Sequence, residues 1–198
     1  MFVLGLTGSI AMGKSTTAKL FAEAGVPVHD ADATVHRLYE GEAVAAIEAA
    51  FPGATAGGRV DRAALGQRIA GNPDALRRLE AIVHPLVRQA EERFLQQAEA
   101  AGAKVAVLDI PLLFETQGDQ RVDAVVVVSA PEDIQWARLL ERGIPSDWLE
   151  TVSARQMPDA EKRRRADFVI DTSRGIESAR AQVQDVLAAV TNRPRRRV

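Results

Sequence analysis

The sequence predicts an α/β three-layer fold built on a parallel sheet, and three observations carry that expectation. The first is a short apolar run, Phe2 to Leu6, that leads through Thr7 into Gly8-Ser9-Ile10-Ala11-Met12-Gly13-Lys14-Ser15. This is G-x-x-x-x-G-K-S, the P-loop pattern. The second is the recurrence of continuous apolar runs, Val105 to Leu108, Ala124 to Val128 and Phe168 to Ile170, which read as strands buried on both faces. The third is the composition between them, rich in Ala, Glu, Leu and Arg, which favours helix. Strand and helix therefore alternate, as a three-layer fold requires.

The elements follow in order. In the P-loop, glycines let the backbone wrap so that successive N–H groups point inward at phosphate oxygens. Lys14 reaches the β- and γ-phosphates and the Ser15 hydroxyl is placed to ligate Mg²⁺, while Thr16 offers its backbone N–H near the α-phosphate. Ala18, Phe21 and Ala22 give the next segment helical spacing, so that its N-terminal dipole faces the anion. Val26 to His29 reads as a second strand, ending in Asp30-Ala31-Asp32, with a helix starting near Ala33. Residues 42–101 contain no convincing strand and read as several helices, punctuated by Pro52-Gly53, Gly57-Gly58, Gly71-Asn72-Pro73 and His84-Pro85. Between 143 and 165, Pro145-Ser146-Asp147 and Pro158-Asp159 read as starts of two short helices, in a segment that carries Arg155, Lys162, Arg163, Arg164 and Arg165. The expected division of one domain, 1–198, is a nucleotide-binding core of 1–41, 102–142 and 166–192, a helical insertion at 42–101, a lid at 143–165 and a basic tail at 193–198.

Composition narrows the function. The chain has 198 residues, 46% hydrophobic and 26% charged, with a net charge of −2 and no cysteine. No global field recruits nucleic acid or membrane. Disulfides, thiolate catalysis and Cys-ligated zinc are excluded, which fits an intracellular protein. The residues before the P-loop read as a strand and not as a leader peptide. No apolar run approaches the length needed to cross a bilayer.

In an open α/β sheet the ligand lies outside the carboxyl ends of the strands. Side chains there should converge on the P-loop: Asp30 and Asp32 after strand two, Asp109 and the run Ile110-Pro111-Leu112-Leu113-Phe114-Glu115 after the next. A phosphoryl acceptor needs one carboxylate to orient or deprotonate its hydroxyl and another to help hold hydrated Mg²⁺. One of the Asp30/Asp32 pair is also a natural helix N-cap. Arg138 and Arg142 lie four apart, on one helix face that meets the arginine-rich segment. They suit a lid that closes over ATP and neutralises charge on the transferring group.

Leu6-Thr7-Gly8 through Lys14-Ser15-Thr16, Asp30-Ala31-Asp32, His84-Pro85, Asp109-Ile110-Pro111-Leu112-Leu113-Phe114-Glu115 and Arg155-Gln156-Met157 followed by Lys162 and Ala166-Asp167 occur in this order. The set resembles the dephospho-coenzyme A kinases, over residues 2 to 175. The resemblance implies a P-loop NTPase fold with a parallel sheet, a helical CoA-binding insertion and a helical lid, similar to the nucleoside monophosphate kinases. It implies ATP as co-substrate, with Mg²⁺, and transfer to the ribose 3′-hydroxyl of dephospho-CoA. Lys14, Asp32 as base and Arg142 from the lid are then the catalytic residues. Gly8, Ala11, Met12, Gly13, Lys14, Ser15 and Thr16 bind the nucleotide. Asp32, His84, Leu112, Leu113 and Glu115 line the acceptor site, and Ser15 ligates the metal. The expected protein is cytoplasmic, a monomer or weak homo-oligomer, with no nucleic-acid or membrane partner. The family is usually glycine-rich where Ser9, Ala11 and Met12 stand, so Ala11 and Met12 ask for ordinary backbone angles or mild strain. The alternatives are another small-molecule P-loop kinase, acting on a nucleoside monophosphate or a sugar, and a nucleotide-controlled binding protein. The sequence lacks the Asn-Lys-x-Asp and Asp-x-x-Gly signatures of the latter.

Overall fold

Each apolar run singled out above forms a strand. In the computed structural model, which describes residues 1–143, 156–191 and 193, the strands β1 (Phe2–Thr7), β2 (Val28–Asp30), β5 (Val105–Asp109), β6 (Ala124–Ser129) and β7 (Phe168–Asp171) make one five-stranded sheet in the order β2-β5-β1-β6-β7. The pairs β1–β5, β1–β6 and β6–β7 are parallel. All six residues of β1 and of β6 are buried, as expected of strands covered on both faces. The chain leaves β1 for one side of the sheet and later returns to β1's other flank. That change of direction is the switch point at which an open α/β sheet binds its ligand.

The chain folds into two compact units, Met1–His29 with Gln97–Val198, and Asp30–Gln96. The first packs α1 (Lys14–Glu23) and the C-terminal helix (Ile176–Val190) on one face of the sheet. Phe2, Leu4, Leu6, Val107, Val126 and Ile170 meet Leu20 and Phe21 of α1 and Val183 and Val186 of the last helix. Thr17, Leu20 and Phe21 are the buried residues of α1, whereas Ala22, expected on the buried stripe, is exposed.

The second unit holds α2 (Ala31–Leu38), α3 (Val44–Ala50), α4 (Arg62–Ile69) and most of α5 (Pro73–Ala100). Leu38, Ile47, Phe51, Leu65, Leu79 and Val83 are among its core residues. This unit begins at Asp30, before α2. Two expectations fail here. The unit contains strands after all: β3 (Thr55–Ala56) and β4 (Arg59–Val60) pair antiparallel across Gly57 and Gly58, at φ 59° and 77°. Two successive left-handed positions make the turn whose twist suits a hairpin, and strands this short leave no periodicity to detect. His84-Pro85 also does not end a helix, since α5 runs through Pro85. Proline inside a helix costs about 3 kcal/mol. Here Ala75, Leu79 and Val83 before it, and Val87 after it, pack on one core and hold both halves in register.

Candidate active site

The P-loop owes its shape to what lies behind it. Gly8 approaches β6 so closely that a Cβ there would stand 2.6 Å from the Val128 carbonyl oxygen. Ala11 and Gly13 are both left-handed, at φ 60° and 95°. Ala11 therefore carries the mild strain foreseen, at about 1–2 kcal/mol for an L-residue, and Met12 does not. The carbonyls of three successive residues are bound from outside the loop. Gln135 Nε2 donates to the Ile10 carbonyl at 2.8 Å, Arg138 Nη1 to that of Ala11 at 3.2 Å, and Thr172 Oγ1 to that of Met12 at 2.7 Å. Arg138 also donates to Thr172, at 2.9 Å to Oγ1 and 2.7 Å to the carbonyl. Gln135 and Arg138 come from α6 (Glu132–Glu141), and Thr172 follows β7. With its carbonyls fixed in this way, the loop is left to offer N–H groups to an anion. Helix α1 begins at Lys14 behind Gly13, which supplies no side-chain cap, so the donors of its first turn are also available.

Register explains the partner of Lys14. Leu6 pairs with Asp109 across β1–β5, so Asp109 ends its strand beside the P-loop. Lys14 Nζ lies 2.6 Å from Asp109 Oδ1; the lysine side chain is 16% exposed and the carboxylate 4%. Ser15 and Thr16 are exposed at the start of α1. Among the described residues no cluster of three or more His, Cys, Asp or Glu could cage a metal ion. The hard oxygens of Ser15 and Asp109 nonetheless fit Mg²⁺, which takes one or two protein ligands and completes its shell with phosphate and water.

The other expected residues divide. Asp30 caps α2, its carboxylate accepting from Ala33 N at 2.9 Å; the helix begins at Ala31, two residues earlier than expected. Asp32, in the first turn of α2, is exposed and is not the cap. His84 is exposed on α5. Asp32 and His84 belong to the second unit; Lys14, Ser15, Asp109 and the 112–115 loop belong to the first. Leu112 is 37% exposed, but Leu113 is fully buried. It lies under β1, where a Cβ on Gly5 would come within 2.8 Å of it, so it has no surface to give a ligand. Glu115 turns inward. Its Oε1 accepts from Met157 N at 2.7 Å and sits 3.3 Å from Lys162 Nζ, on a lysine with no exposed surface. Lys162 lies on α7 (Asp159–Arg165), and Asp159 of that helix accepts from Ser129 Oγ at 2.7 Å. Among the described residues, Lys162 Nζ, Glu115 Oε2 and Asp159 Oδ1 have no hydrogen-bond partner.

Arg138 and Arg142, expected together on a lid face, part company. Arg138 braces the P-loop, while Arg142 is the exposed C-cap of α6. The Arg138 brace is a contact that sequence reasoning missed; its only trace is the pair Gln135 and Arg138, one helical turn apart. The helix start expected at 145, Trp148 and Arg155 lie outside the described residues, as does all of the tail but Arg193. Beyond β7, hydrogen bonds from the Ser173 hydroxyl and backbone N–H hold the Asp171 carboxyl below its ordinary range. No helix among the described residues is long and apolar enough to cross a membrane.

A family model described as dephospho-CoA kinase matches residues 2–178. The dephospho-CoA kinase of Rhodopseudomonas palustris strain HaA2 is 62% identical over 198 residues, covering 100% of both chains. Among solved structures, TT1252 of Thermus thermophilus superposes with a TM-score of 0.86 at 35% identity, covering 95% of this chain and 96% of that one. The dephospho-CoA kinase of Campylobacter jejuni superposes at 0.64 with 25% identity, again covering 95% and 96%.

Proposed function

The chain belongs to the dephospho-CoA kinase family, and from that premise we propose how its residues share the reaction, transfer of the γ-phosphoryl group of ATP to the ribose 3′-hydroxyl of dephospho-CoA to give CoA and ADP. The P-loop N–H groups of residues 8–16 take the triphosphate. Lys14 leaves Asp109 for the β- and γ-phosphate oxygens, where its charge is worth most as the transition state forms. Ser15 Oγ and the Asp109 carboxylate are the groups that would hold Mg²⁺. That ion, when bound, neutralises charge on the β- and γ-oxygens.

The acceptor hydroxyl oxygen bonds to the γ-phosphorus as the bond to the β–γ bridging oxygen breaks, and its proton passes to a base. Asp32 is that base, because Asp30 spends its carboxylate on the cap of α2. Arg142, at the head of the 143–165 lid, meets the charge on the transferring group through its planar fork. The 42–101 insertion binds the CoA moiety, with His84 and Leu112 beside the acceptor. The protein acts in the cytoplasm as a monomer or weak homo-oligomer, on a small molecule and not on nucleic acid.

The observation that carries this reading is the loop whose three carbonyls are bound from behind while Lys14 rests against a strand-end carboxylate. That arrangement suits an anion that arrives and leaves. The test is ATP consumption with dephospho-CoA, AMP, adenosine and shikimate as acceptors. Consumption should depend on dephospho-CoA, and faster turnover with any of the other three rejects the acceptor.

A further inference from the structure

Residues 2–6 of β1 are apolar or glycine, and the strand then ends on a threonine, Thr7. Thr7 has no exposed surface. Valine would fill nearly the same space with no polar group to satisfy, so the buried hydroxyl needs a partner. That partner lies outside the strand: Thr7 Oγ1 donates to the Pro111 carbonyl at 3.0 Å. Strand pairing shows why the bond matters. On the β6 flank the register runs to Thr7 opposite Val127, and Gly8 then packs against the Val128 carbonyl. On the β5 flank it stops one residue earlier, at Leu6 opposite Asp109, with a backbone bond from Ile110 N to the Leu6 carbonyl at 2.9 Å.

The hydroxyl therefore carries the link between β1 and the chain after β5 one step past the backbone pairing. Thr7 is the residue before Gly8, where β1 becomes the P-loop. Pro111 stands two residues beyond Asp109, and its ring fixes φ, so its carbonyl is carried on a stiff turn. One bond thus joins the root of the P-loop to the chain just past the carboxylate. Lys14, from the far end of the loop, meets that carboxylate at 2.6 Å. The two links differ in permanence. In the reaction proposed above Lys14 leaves for the phosphates, whereas the Thr7 hydroxyl stays with Pro111.

We propose that Thr7 is a positioning residue of the donor site: its hydroxyl keeps the Asp109 carboxylate in place against the P-loop once Lys14 has moved to the nucleotide. The proposal rests on the reading of Asp109 as a group that would hold Mg²⁺, as above. Fully buried, Thr7 has no surface to offer nucleotide or metal. It acts through Pro111 and the backbone that carries Asp109. A carboxylate toward Mg²⁺ tolerates little displacement, because that ion demands near-ideal octahedral geometry.

The isosteric change Thr7→Val removes the hydroxyl and keeps the β-branched shape of the strand end. Calorimetry with a non-hydrolysable ATP analogue, in Mg²⁺ and in EDTA and without acceptor, reads its effect. Thr7→Val should weaken the Mg²⁺-loaded complex by about tenfold or more, as loss of a group that orients a metal ligand does. The metal-free complex should change by less than about twofold, since the N–H groups of the P-loop are untouched. Thr7→Ser keeps the hydroxyl and should bind as the wild type does. Equal weakening of both complexes in Thr7→Val overturns the proposal, because a merely loosened strand end does that. Wild-type affinity of Thr7→Val for the Mg²⁺-loaded analogue overturns it too, as does a Thr7→Ser chain as weak as Thr7→Val. A Thr7→Val chain that does not fold makes the hydroxyl structural and has the same consequence. If Asp109→Asn leaves the Mg²⁺-loaded complex at wild-type affinity, the underlying reading of Asp109 fails instead.

Discussion

Two lysine–carboxylate pairs among the described residues of the first unit differ in how far water reaches them. Lys14 and Asp109 lie 2.6 Å apart with the lysine side chain 16% exposed, whereas Lys162 and Glu115 lie 3.3 Å apart with the lysine sealed. One acid ends β5 and the other lies in the loop after it. Asp109 ends the strand beside β1, and Glu115 sits six residues further on, turned back beneath α7. A partly exposed pair can trade its partner for a phosphate oxygen. A sealed pair cannot, and its charges repay their desolvation only while both are present. On the proposed function, the first pair is chemistry held in waiting. The second fastens Met157 and α7 to the loop after β5. Glu115, expected at the acceptor, acts on this reading by positioning.

The comparison can be broken at either pair. Lys14→Ala should lower kcat by roughly 10³-fold, about 4 kcal/mol of transition-state stabilisation. Its thermal midpoint should stay close to wild type, since the side chain packs in no core. Near-normal turnover at saturating MgATP would reject the exchange of partners. Lys162→Met should do the opposite. Leaving Glu115 buried without its cation should cost about 3–5 kcal/mol in urea unfolding, and the further change Glu115→Gln should return part of that loss. A Lys162→Met chain as stable as wild type would show that the pair fastens nothing.

Asp30 and Asp32, both in the second unit, sharpen the same distinction between a group free to react and one already spent. Asp32→Asn should reduce kcat by roughly 10²-fold with little change in ATP binding. Asp30→Asn should show itself mainly in the thermal midpoint, and by no more than about 1 kcal/mol, because asparagine still caps. If Asp30→Asn is inactive yet fully folded while Asp32→Asn turns over normally, the base has been assigned to the wrong residue. The smallest effect is expected at Ala11. Ala11→Gly relieves a left-handed alanine but loosens the unfolded chain, so the two nearly offset and the gain should stay under about 1 kcal/mol. A loss of stability there would mean that Ala11 is not strained.

Much of this was legible in the residues. The buried strands announced themselves as unbroken apolar runs, and the P-loop carried its own chemistry. That one of Asp30 and Asp32 caps a helix followed from their place before one, and the helix start at Ala31 makes it Asp30. What stayed hidden depended on contacts between distant segments. Leu113 reads as a loop residue, yet the sheet register slides it beneath Gly5. Arg138 reads as one of a surface pair, yet Thr172, far along the chain, draws it to the P-loop. Pro85 reads as a helix end, and packing on both sides overrides the local rule. The β3–β4 hairpin left a signal in Gly57-Gly58, but strands of two residues are too short for alternation to appear.

The strand order has a consequence in time. β1 finds its first sheet partner only in β5 and its second in β6. A ribosome must therefore add ~100 further residues before β1 can pair, which takes about 5–20 s at 5–20 residues per second. The intervening unit, Asp30–Gln96, is continuous in sequence and can condense as soon as its last helix emerges. Synthesis thus completes the insert before its host. Throughout that interval the six-residue strand β1 waits without its sheet partners.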